Sequence, residues 1–445
     1  MSALPASVPY LVVGAGVHGL STAWHLAAQL AASGKGSGAD VLVVDKSGPG
    51  AGATGIACGC VRNLYMTREL HPILRHSVDV WQSDPISFGF QQVGYVSAGS
   101  ADQIPDYEVM VESQNACGYR SNMYTGAEAR RFLTELWPDF KTDGVDVVLH
   151  ERPSGYAGTA QAISGMVAKC EQHGVAIRSG VAVTGYDVTN GRVTAVHTDQ
   201  GTIRADCVVL CAGAWVGRHW DWLGEPARLT KRFPDGNVVE GADMWTYWRL
   251  REGEVYHDAP YRTADDREPP VLHVELMDTP VRHPDSGAVL QESLYVYFKN
   301  GAERMDRPGL QGGSVPIRLG PDAEVEPYGH ANDRYQAEPA FADLLTTAMG
   351  MLMSRFEGCR PQFRERRNGG IGAFTPDNIP IFDWVKENLY LIADSNHGFK
   401  MIGVGKLVAD HLAHGHDIAE LQPFRLNRFA EGKSFGRHNS TSPWV

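Results

Sequence analysis

The chain has 445 residues, of which 43% are hydrophobic and 21% charged, and its formal net charge is −12. This length exceeds what one hydrophobic core usually supports, so two domains are expected. The negative charge and the lack of a long basic run argue against a nucleic-acid partner. Seven cysteines without zinc-type spacing, no secretory signal and no apolar run of about 18 residues predict a reduced, cytoplasmic protein without membrane insertion.

The first predicted element is a βαβ unit, in which an apolar strand, glycines with G-x-G-x-x-G spacing and a helical pattern precede a second strand ending at Asp45. Gly14 permits a tight turn, Gly16 leaves room for a pyrophosphate, and Gly19 lets the helix pack closely on the strand. An ordinary strand-to-helix turn is the alternative. The second strand and Asp45, which suits ribose hydroxyls, favour nucleotide binding, although the polar segment 33–38 places Asp45 later than usual.

A second glycine-rich segment covers residues 46–62 and ends in Cys-Val-Arg. Its composition does not favour a stable helix, so one alternative is a flexible linker. Its apolar character instead favours a loop that a ligand approaches closely. Arg62 is the candidate to face that ligand.

The middle of the chain alternates between helical and strand patterns. Helices are predicted at Leu70–Trp81, Asp106–Ala116, Thr125–Leu136 and Tyr156–His173, with Thr125 and Glu128 in capping-box spacing, and strands are predicted at residues 88–100 and 145–150. Asn190-Gly191 predicts a hairpin in a meander that ends in a buried strand, Val208–Cys211, followed by Ala212-Gly213-Ala214-Trp215.

Residues 226–363 change character, because short aromatic-rich strands alternate with polar loops before a long apolar helix at Phe341–Phe356. This pattern predicts an antiparallel sheet covered by helices. Met244, Trp245, Tyr247 and Trp248 lie close together in sequence and form either part of the core or a cation-binding cage for an amine.

Near the C-terminus a strand, Leu389–Ala393, is followed by Ser395-Asn396-His397-Gly398 and a helix at Phe399–His414. Such a loop points the helix N-terminus, with its free N–H groups, at whatever lies above the strand ends. Gly403 and Gly405 indicate that a neighbouring helix or a ligand approaches this helix closely.

Together these motifs resemble the D-amino-acid-oxidase superfamily of FAD-dependent oxidoreductases, and within it the sarcosine oxidase and glycine oxidase branch. The resemblance rests on G-A-G-V-H-G at 14–19, the acidic strand end at Asp45, G-A-T-G-x-A-x-G-x-x-R at 52–62, C-A-G-A-W at 211–215, and T-P-D-x-x-P-I-F-D followed by H-G-F-K between 375 and 400. It implies an α/β fold, in which a Rossmann-like FAD-binding domain (1–75, 150–225 and 364–445) is interleaved with an α+β substrate domain built on an antiparallel sheet (76–149 and 226–363).

The resemblance also implies how FAD is held. Gly14, Gly16 and Gly19 would hold the pyrophosphate, Asp45 and Lys46 the adenosine ribose, and Val183 the adenine side. The loop at 55–62 would run beside the isoalloxazine, and the turn at 398–401 would meet its pyrimidine edge, where a helix N-terminus stabilises negative charge. The further expected FAD contacts are Val17, His18, Ala53, Thr54, Gly55, Cys60, Ala212, Gly213, Trp215, Gly372, His397, Gly398, Phe399, Lys400 and Met401.

The catalytic residues implied by the resemblance are Arg62 against the flavin, Lys400 for a substrate carboxylate and Lys299 for oxygen reduction. A solvent-facing strand lysine is the alternative for Lys299. Gly369-Gly370-Ile371-Gly372 stands where sarcosine oxidases carry a flavin-linking cysteine, so FAD is expected to be noncovalent. Tyr65 replaces a second carboxylate-binding arginine, which argues against a simple sarcosine-like substrate.

The resulting hypothesis is oxidation of a primary, secondary or N-methylated amine of an amino acid or a similar compound. The amine would lose a hydride from its α-carbon to flavin N5, and water would hydrolyse the imine, without a metal or protein nucleophile. The expected partners are this amine and O2 or another electron acceptor, with the chain a monomer or homodimer. The alternatives are a flavin monooxygenase using NAD(P)H, a non-catalytic electron-transferring flavoprotein subunit and an NAD-only dehydrogenase.

Overall fold

The computed structural model describes residues 3–257, 261–301, 308–326, 328, 338–364, 370–395, 397–436, 438, 440 and 441. Gly369 and Asn396, which belong to motifs named above, lie outside the described residues. In chain order the strands are β1 Ser7–Val13, β2 Val41–Asp45, β3 Cys60–Val61, β4 Phe90–Gln91, β5 Tyr95–Gly99, β6 Ser121–Thr125, β7 Val147–Glu151, β8 Gly155–Ala157, β9 Ala176–Ser179, β10 Val183–Thr189, β11 Arg192–Thr198, β12 Gly201–Leu210, β13 Arg228–Arg232, β14 Val238–Asp243, β15 Thr246–Tyr256, β16 Val271–Leu276, β17 Val281–Arg282, β18 Val289–Gln291, β19 Leu294–Asn300, β20 Gly309–Gly320, β21 Phe363–Arg364, β22 Ile371–Phe374, β23 Ile381–Lys386 and β24 Leu389–Ala393.

Helices connect and cover these strands. The α-helices are α1 Val17–Ser33, α2 Ala53–Ile56, α3 Leu70–Ser83, α4 Pro85–Phe88, α5 Ile104–Ala116, α6 Gly126–Leu136, α7 Thr159–Gln172, α8 Val216–Trp222, α9 Pro339–Leu352 and α10 Ile402–His414. Short 3₁₀ turns occupy Gly38–Asp40, Ala101–Gln103, Gly213–Trp215, Ser354–Phe356, Arg360–Gln362, Gly398–Met401, Ala419–Phe424 and Leu426–Phe429.

One large sheet, called the parallel sheet, has the order β9-β2-β1-β12-β24, with every neighbouring pair parallel. β23 continues it antiparallel to β24, and the hairpin of β10 and β11 pairs with the beginning of β12. The helix α1 connects β1 to β2, which are neighbours, so these elements form the expected βαβ unit. The carboxyl ends of the central strands therefore meet at one edge, the usual position of a ligand crevice in such sheets.

The second large sheet, called the antiparallel sheet, has the order β21-β15-β20-β19-β16-β5-β7-β6, and β22 also pairs with β15. Its pairs are antiparallel except for β16 with β5, which are parallel. Alternate residues of β16 face opposite sides: Leu272, Val274 and Leu276 belong to a core that includes α9, whereas Val271 packs in the core shared with α1 and α10. One face of this sheet is therefore directed toward the parallel sheet.

The helix α10 packs closely against α1 and α3. A Cβ atom on Gly405 would lie 2.5 Å from Ser21 Oγ, and one on Gly403 would lie 2.6 Å from the Ser77 backbone nitrogen. Larger residues would push the helices apart, so the close approach predicted from these glycines is confirmed.

Several other predictions are also confirmed. The strand Leu389–Ala393 and the helix beginning at Leu70 are present, and Asn190 and Gly191 have positive φ in the hairpin turn. Met244, Trp245 and Tyr247 are buried in the core beside the parallel sheet, so core packing rather than a cation cage explains this group.

Some element boundaries were wrong. Residues 155–157 form β8, so the helix predicted from Tyr156 begins at Thr159. The helix predicted from Phe399 begins at Ile402, because a 3₁₀ turn precedes it, and the apolar helix expected to reach Phe356 ends at Leu352. Thr125 stands at the N-cap of α6, but its side chain makes no capping hydrogen bond, so the capping box is absent from this helix.

The predicted domain limits remain a prediction. The parallel sheet draws its strands from residues 7–45, 176–210 and 381–393, and the antiparallel sheet draws its strands from 95–151 and 246–374. β22, which falls in the third segment assigned to the FAD-binding domain, hydrogen-bonds to the antiparallel sheet. The chain thus crosses repeatedly between the two sheets.

Candidate active site

A cavity of about 670 Å³ runs from the carboxyl edge of the parallel sheet to the facing side of the antiparallel sheet. Val13, Val44, Cys211 and Ala393, at or just after the ends of the central parallel strands, line one part of it. Strands β5, β15 and β19 supply the opposite wall. Its volume lies within the range of small-molecule sites.

The glycine turn after β1 packs closely against neighbouring residues and lines the cavity. Gly14 has φ +103°, and a Cβ atom there would lie 2.3 Å from the carbonyl oxygen of Cys211. A Cβ atom on Gly16 would lie 3.2 Å from Thr54 Oγ1, which accepts a hydrogen bond from the backbone N–H of Val17. The start of α1 therefore borders the cavity, and such a helix start favours phosphate.

Asp45 and Lys46 both line the cavity and both have protein partners. Asp45 accepts backbone hydrogen bonds from Ala15, Ser47 and Gly48 at 2.8–2.9 Å, so it also fixes the glycine turn. The Lys46 ammonium pairs with Glu326 and lies 3.7 Å from the centroid of the Trp215 ring.

Two histidines and an aspartate connect α1 to the turn after β24. The Asp394 carboxylate accepts hydrogen bonds from His18 Nε2 at 2.7 Å and from the Gly398 N–H at 2.6 Å. The Nδ1 of His397 bonds to the Asp394 carbonyl. Burial alone would raise the pKa of Asp394, but His18, His397 and the Gly398 N–H hold it well below its ordinary value. Asp394 is therefore a fixed anion at this end of the cavity.

Two ring nitrogens of these histidines are buried without a partner among the described residues. They are His18 Nδ1 and His397 Nε2, and both histidines line the cavity. Burial, with Lys400 nearby, lowers the pKa of His397 to about 3, so its ring is neutral at physiological pH. Because Nδ1 faces a carbonyl, Nε2 is the acceptor of the ring. A ligand with N–H or O–H donors would satisfy it.

The turn at residues 398–401 is held by Trp81 of α3. The Trp81 Nε1–H donates to the Phe399 carbonyl at 2.9 Å, and the two rings are stacked with centroids 5.4 Å apart. This contact places Lys400 on the cavity wall. Burial, and then the charge of Arg62, lower the pKa of Lys400. Lys400 is thus a partly desolvated cation beside the space above the strand ends.

Arg62 lines the cavity and is almost fully buried. Its guanidinium donates to the Leu64 carbonyl and lies 4.7 Å from the centroid of the Tyr65 ring and 5.6 Å from that of Tyr95. Tyr65, which replaces the expected arginine, does not line the cavity, and its ring packs against His397 with centroids 4.9 Å apart.

Lys299 lies behind the cavity wall rather than in it. Its ammonium donates to the Asn300 carbonyl at 2.9 Å and lies 4.3 Å from the centroid of the Tyr156 ring. With 6% of its surface exposed, the solvent-facing alternative is wrong. Its role in oxygen reduction stays a prediction.

The far wall contains residues that the sequence motifs did not reveal. Tyr95, Tyr295 and Tyr297 face the cavity together with Glu252, whose Oε1 accepts a hydrogen bond from the Tyr297 hydroxyl at 2.8 Å. Burial and the Glu252 carboxylate hold the pKa of Tyr297 well above its ordinary value, so this hydroxyl remains a donor. Alternation in L-Y-V-Y-F-K could have indicated that Tyr295 and Tyr297 share a face. Nothing in the sequence showed that this face meets the cavity.

The T-P-D motif has a structural role. Asp377 accepts two hydrogen bonds from Arg428, at 2.8 and 2.9 Å, and both side chains are buried. Arg428 also donates to the Pro380 carbonyl at 2.9 Å. The motif therefore anchors the C-terminal segment to the loop before β23, and Thr375 and Asp377 do not line the cavity.

Most of the predicted site residues share the cavity. Those that line it are Gly14, Gly16, Val17, His18, Asp45, Lys46, Ala53, Thr54, Cys60, Arg62, Val183, Ala212, Gly213, Trp215, Gly372, His397, Gly398, Phe399 and Lys400. Those that do not are Gly19, Gly55, Lys299 and Met401. A Cβ atom on Gly19 would lie 1.8 Å from the Gly14 carbonyl oxygen, so Gly19 supports the turn from behind.

Comparison with known proteins bears on this site. A family model described as "FAD dependent oxidoreductase" matches residues 10–411. The chain belongs to this family. The family is one of FAD-dependent oxidoreductases.

The relatives agree with the sarcosine oxidase and glycine oxidase branch. A 4-methylaminobutanoate oxidase (formaldehyde-forming) of Paenarthrobacter nicotinovorans is 28% identical over 220 residues, 48% of this chain and 25% of that protein. Sarcosine oxidase subunit beta of Rhizobium meliloti is 26% identical over 45% of this chain and 48% of that subunit. The L-proline dehydrogenase structure from P. horikoshii has a TM-score of 0.72 at 19% identity and covers 96% of this chain and 99% of that one. This chain spans only about a quarter of the length of the first curated relatives it matches, because the matched region covers 23–25% of each of those proteins.

The residues present fit FAD. Gly14 and Gly16 line the cavity without side chains at the start of α1, which suits a pyrophosphate, and the His397 acceptor suits the N–H and O–H donors of a flavin. Whether FAD is covalently attached stays a prediction, as does the role of each residue. Within the described ranges no helix is both long and apolar enough to cross a bilayer.

Proposed function

We propose that the protein oxidises a primary, secondary or N-methylated amine that also carries a carboxylate, as an amino acid or an amino-acid-like compound does. The observation that carries this proposal is a pair of opposite charges, Glu252 and Lys400, on the wall of one cavity. The same cavity is also lined by Tyr95, Tyr295 and Tyr297, which suit an aliphatic or aromatic body. A zwitterion can satisfy both charges at once, whereas an amine without a carboxylate leaves Lys400 without a substrate partner.

Each side chain has a distinct task in this proposal. Lys400 binds the substrate carboxylate, and Glu252 holds the ammonium group and accepts its proton, which leaves the nitrogen lone pair free. Tyr297 donates to Glu252 and fixes its orientation. FAD, when bound, would supply the acceptor for the hydride, and so for both electrons, lost from the substrate α-carbon. Water would then hydrolyse the resulting imine.

The relatives support amine chemistry and suggest the first compounds to test. Their names refer to 4-methylaminobutanoate, sarcosine and proline, all of which carry both an amine and a carboxylate. Residues from the far wall, in the antiparallel sheet, would select among such compounds. Electron acceptor and oligomeric state belong to the same proposal: O2 or another acceptor, and a monomer or homodimer.

The test is a screen of the purified FAD-containing chain with amines and a dye as electron acceptor, followed by identification of the carbonyl product. The expected result is dye reduction by amino acids or N-methylated amino acids and the formation of the matching carbonyl compound. Consumption of NADPH with hydroxylation of an aromatic compound would instead show a monooxygenase. Activity that appears only in a complex with a second subunit would show an electron-transferring role.

A further inference from the structure

Two cysteines of the cavity wall lie within contact distance of each other. The Cys58 Sγ donates a hydrogen bond to the Cys60 Sγ at 3.4 Å. Both side chains are buried, and both line the cavity beside Arg62. They belong to the glycine-rich loop, so the sulfur pair forms part of the surface against which the cofactor and substrate are expected to lie.

The backbone around the pair is fixed on both sides. Gly59, between the two cysteines, has φ +73°, and its carbonyl accepts a hydrogen bond from the Ala157 N–H at 2.9 Å. A Cβ atom at Gly59 would lie 2.1 Å from the Ala157 carbonyl oxygen. Cys60 then pairs with Tyr156 in the ribbon of β3 and β8. The close approach of the two sulfurs is therefore imposed by the fold.

The surroundings make Cys60 the more acidic of the two thiols. The hydrogen bond from Cys58 lowers the pKa of Cys60, burial opposes this, and Lys299 and Lys400 lower it further. The same hydrogen bond, together with burial, raises the pKa of Cys58 well above its ordinary value. Thiolates with cationic neighbours are the cysteines that peroxides oxidise most readily.

We propose that Cys58 and Cys60 are a peroxide-sensitive dithiol, which closes reversibly to a disulfide in the wall of the active-site cavity. Hydrogen peroxide is small enough to reach buried sulfurs through the cavity. The Cys60 thiolate attacks one peroxide oxygen, the O–O bond breaks, and hydroxide leaves, which converts Cys60 to a sulfenic acid. The Cys58 sulfur attacks Cys60, the S–O bond breaks, and water leaves with the Cys58 proton. In total two thiols are oxidised by two electrons, and one peroxide is reduced to two waters.

The two sulfurs are already in contact at 3.4 Å, and closure would bring them to the S–S length of about 2.05 Å found in disulfides. It removes two ionisable thiols from the wall that also contains Lys400. The proposal depends on the FAD-loaded fold and not on the identity of any substrate, so it can fail while the proposed function holds, or hold while that function fails.

In the experiment, the FAD-containing 445-residue chain is treated with hydrogen peroxide, the excess is removed with catalase, and free thiols are alkylated under denaturing conditions for peptide mass spectrometry. The expected result is that the peptide with residues 58–60 loses the mass of two hydrogen atoms and takes up no alkylating reagent, and that dithiothreitol restores both sites. Both cysteines remaining alkylatable, or Cys60 acquiring oxygen while Cys58 remains alkylatable, would overturn the proposal.

Single cysteine variants test which of the two sulfurs reacts with peroxide and which closes the disulfide. C58S is expected to lose disulfide formation and to leave Cys60 as a sulfenic or sulfinic acid, whereas C60S is expected to leave Cys58 unoxidised. C170S is the matched control, because Cys170 is a buried thiol whose pKa burial raises to about 12, and it should retain the disulfide. Bound FAD absorbance reports whether each variant folds, and the wild-type mass measurement decides the proposal if a variant does not. A disulfide that still forms in C58S from another cysteine would contradict the pairing.

Discussion

The two ends of the cavity are built in different ways. At the end where the nucleotide is predicted to bind, consecutive backbone groups of one βαβ unit line the cavity, and Gly14 and Gly16 contribute no side chains. At the end proposed for the substrate, side chains from distant parts of the chain meet, among them Glu252, Tyr295 and Lys400. A site formed by consecutive backbone groups therefore leaves a local pattern in the sequence, whereas a site formed by side chains from distant segments does not.

Replacing Gly14 by alanine should have the largest effect. The methyl group would lie 2.3 Å from the Cys211 carbonyl, at a φ of +103°, so the turn cannot keep its shape. A strained backbone of this kind costs about 1–3 kcal/mol before the clash is added. The purified G14A protein is therefore expected to lose FAD, measured as the ratio of flavin to protein absorbance.

The control for this change is G185A. Gly185 lies in β10 with open space around its Cβ position, so this variant should retain FAD. Wild-type flavin content in G14A would show that the glycine turn is not what holds the cofactor.

Lys400→Met tests the substrate end. Loss of a desolvated charge pair costs about 2 kcal/mol or more, so kcat/KM for a carboxylate-bearing amine should fall about 30-fold or more. Steady-state kinetics with an amine that carries a carboxylate and with a similar amine that lacks it measure this effect. K406M is the matched control, because Lys406 is exposed on α10, the helix that follows the turn containing Lys400, and this variant should keep wild-type kinetics. An equal loss with both kinds of amine would argue against carboxylate binding by Lys400.

Glu252→Gln keeps the size of the side chain and removes its charge. Replacing a charged hydrogen bond by a neutral one costs about 1.4 kcal/mol, so KM for a zwitterionic substrate should rise about tenfold, and kcat should fall as well because glutamine cannot accept the ammonium proton. E240Q is the control, since Glu240 is exposed on β14. If E252Q has wild-type KM and kcat, then Glu252 is not an ammonium partner.

The pH dependence of inhibition by a carboxylate tests whether the pKa of Lys400 is lowered. Burial lowers its pKa, so it loses its proton at a lower pH than an exposed lysine. The protonated form binds carboxylate, and the Ki of a carboxylate inhibitor without an amine should be low at acid pH and rise as the pH passes the lowered pKa, by up to about tenfold per pH unit. K400M should show a flat profile over the same range. A wild-type rise only where exposed lysines titrate would contradict the desolvated environment.

Tyr65→Phe should have the smallest effect. Tyr65 occupies the position where the family resemblance leads one to expect an arginine, yet it does not line the cavity, and its hydroxyl has no partner among the described residues. Removing it should change the free energy of unfolding by less than about 1 kcal/mol and leave KM unchanged. Thermal unfolding and steady-state kinetics measure both. A large rise in KM would place this hydroxyl in substrate binding.

The same contrast explains how much the sequence could predict. The glycine turn, Asp45 and the loop before Arg62 were predictable because each is a run of neighbouring residues with its own physical requirement. Glu252 and the tyrosines were not, because alternation shows that residues share a face but not what that face meets. Asp394 comes directly after a buried strand, a position that could have marked it, whereas the T-P-D motif drew attention to a buried ion pair outside the cavity.

Anaerobic titration of the FAD-containing wild-type protein is the most direct test of the central claim, that one cavity joins a flavin site to a chamber for zwitterionic amines. The absorbance of oxidised flavin near its visible maximum should be lost in proportion to an added amino acid or N-methylated amino acid, and the corresponding amine without a carboxylate should be far less effective. Loss of this absorbance with NADPH but with none of the amines would contradict the account.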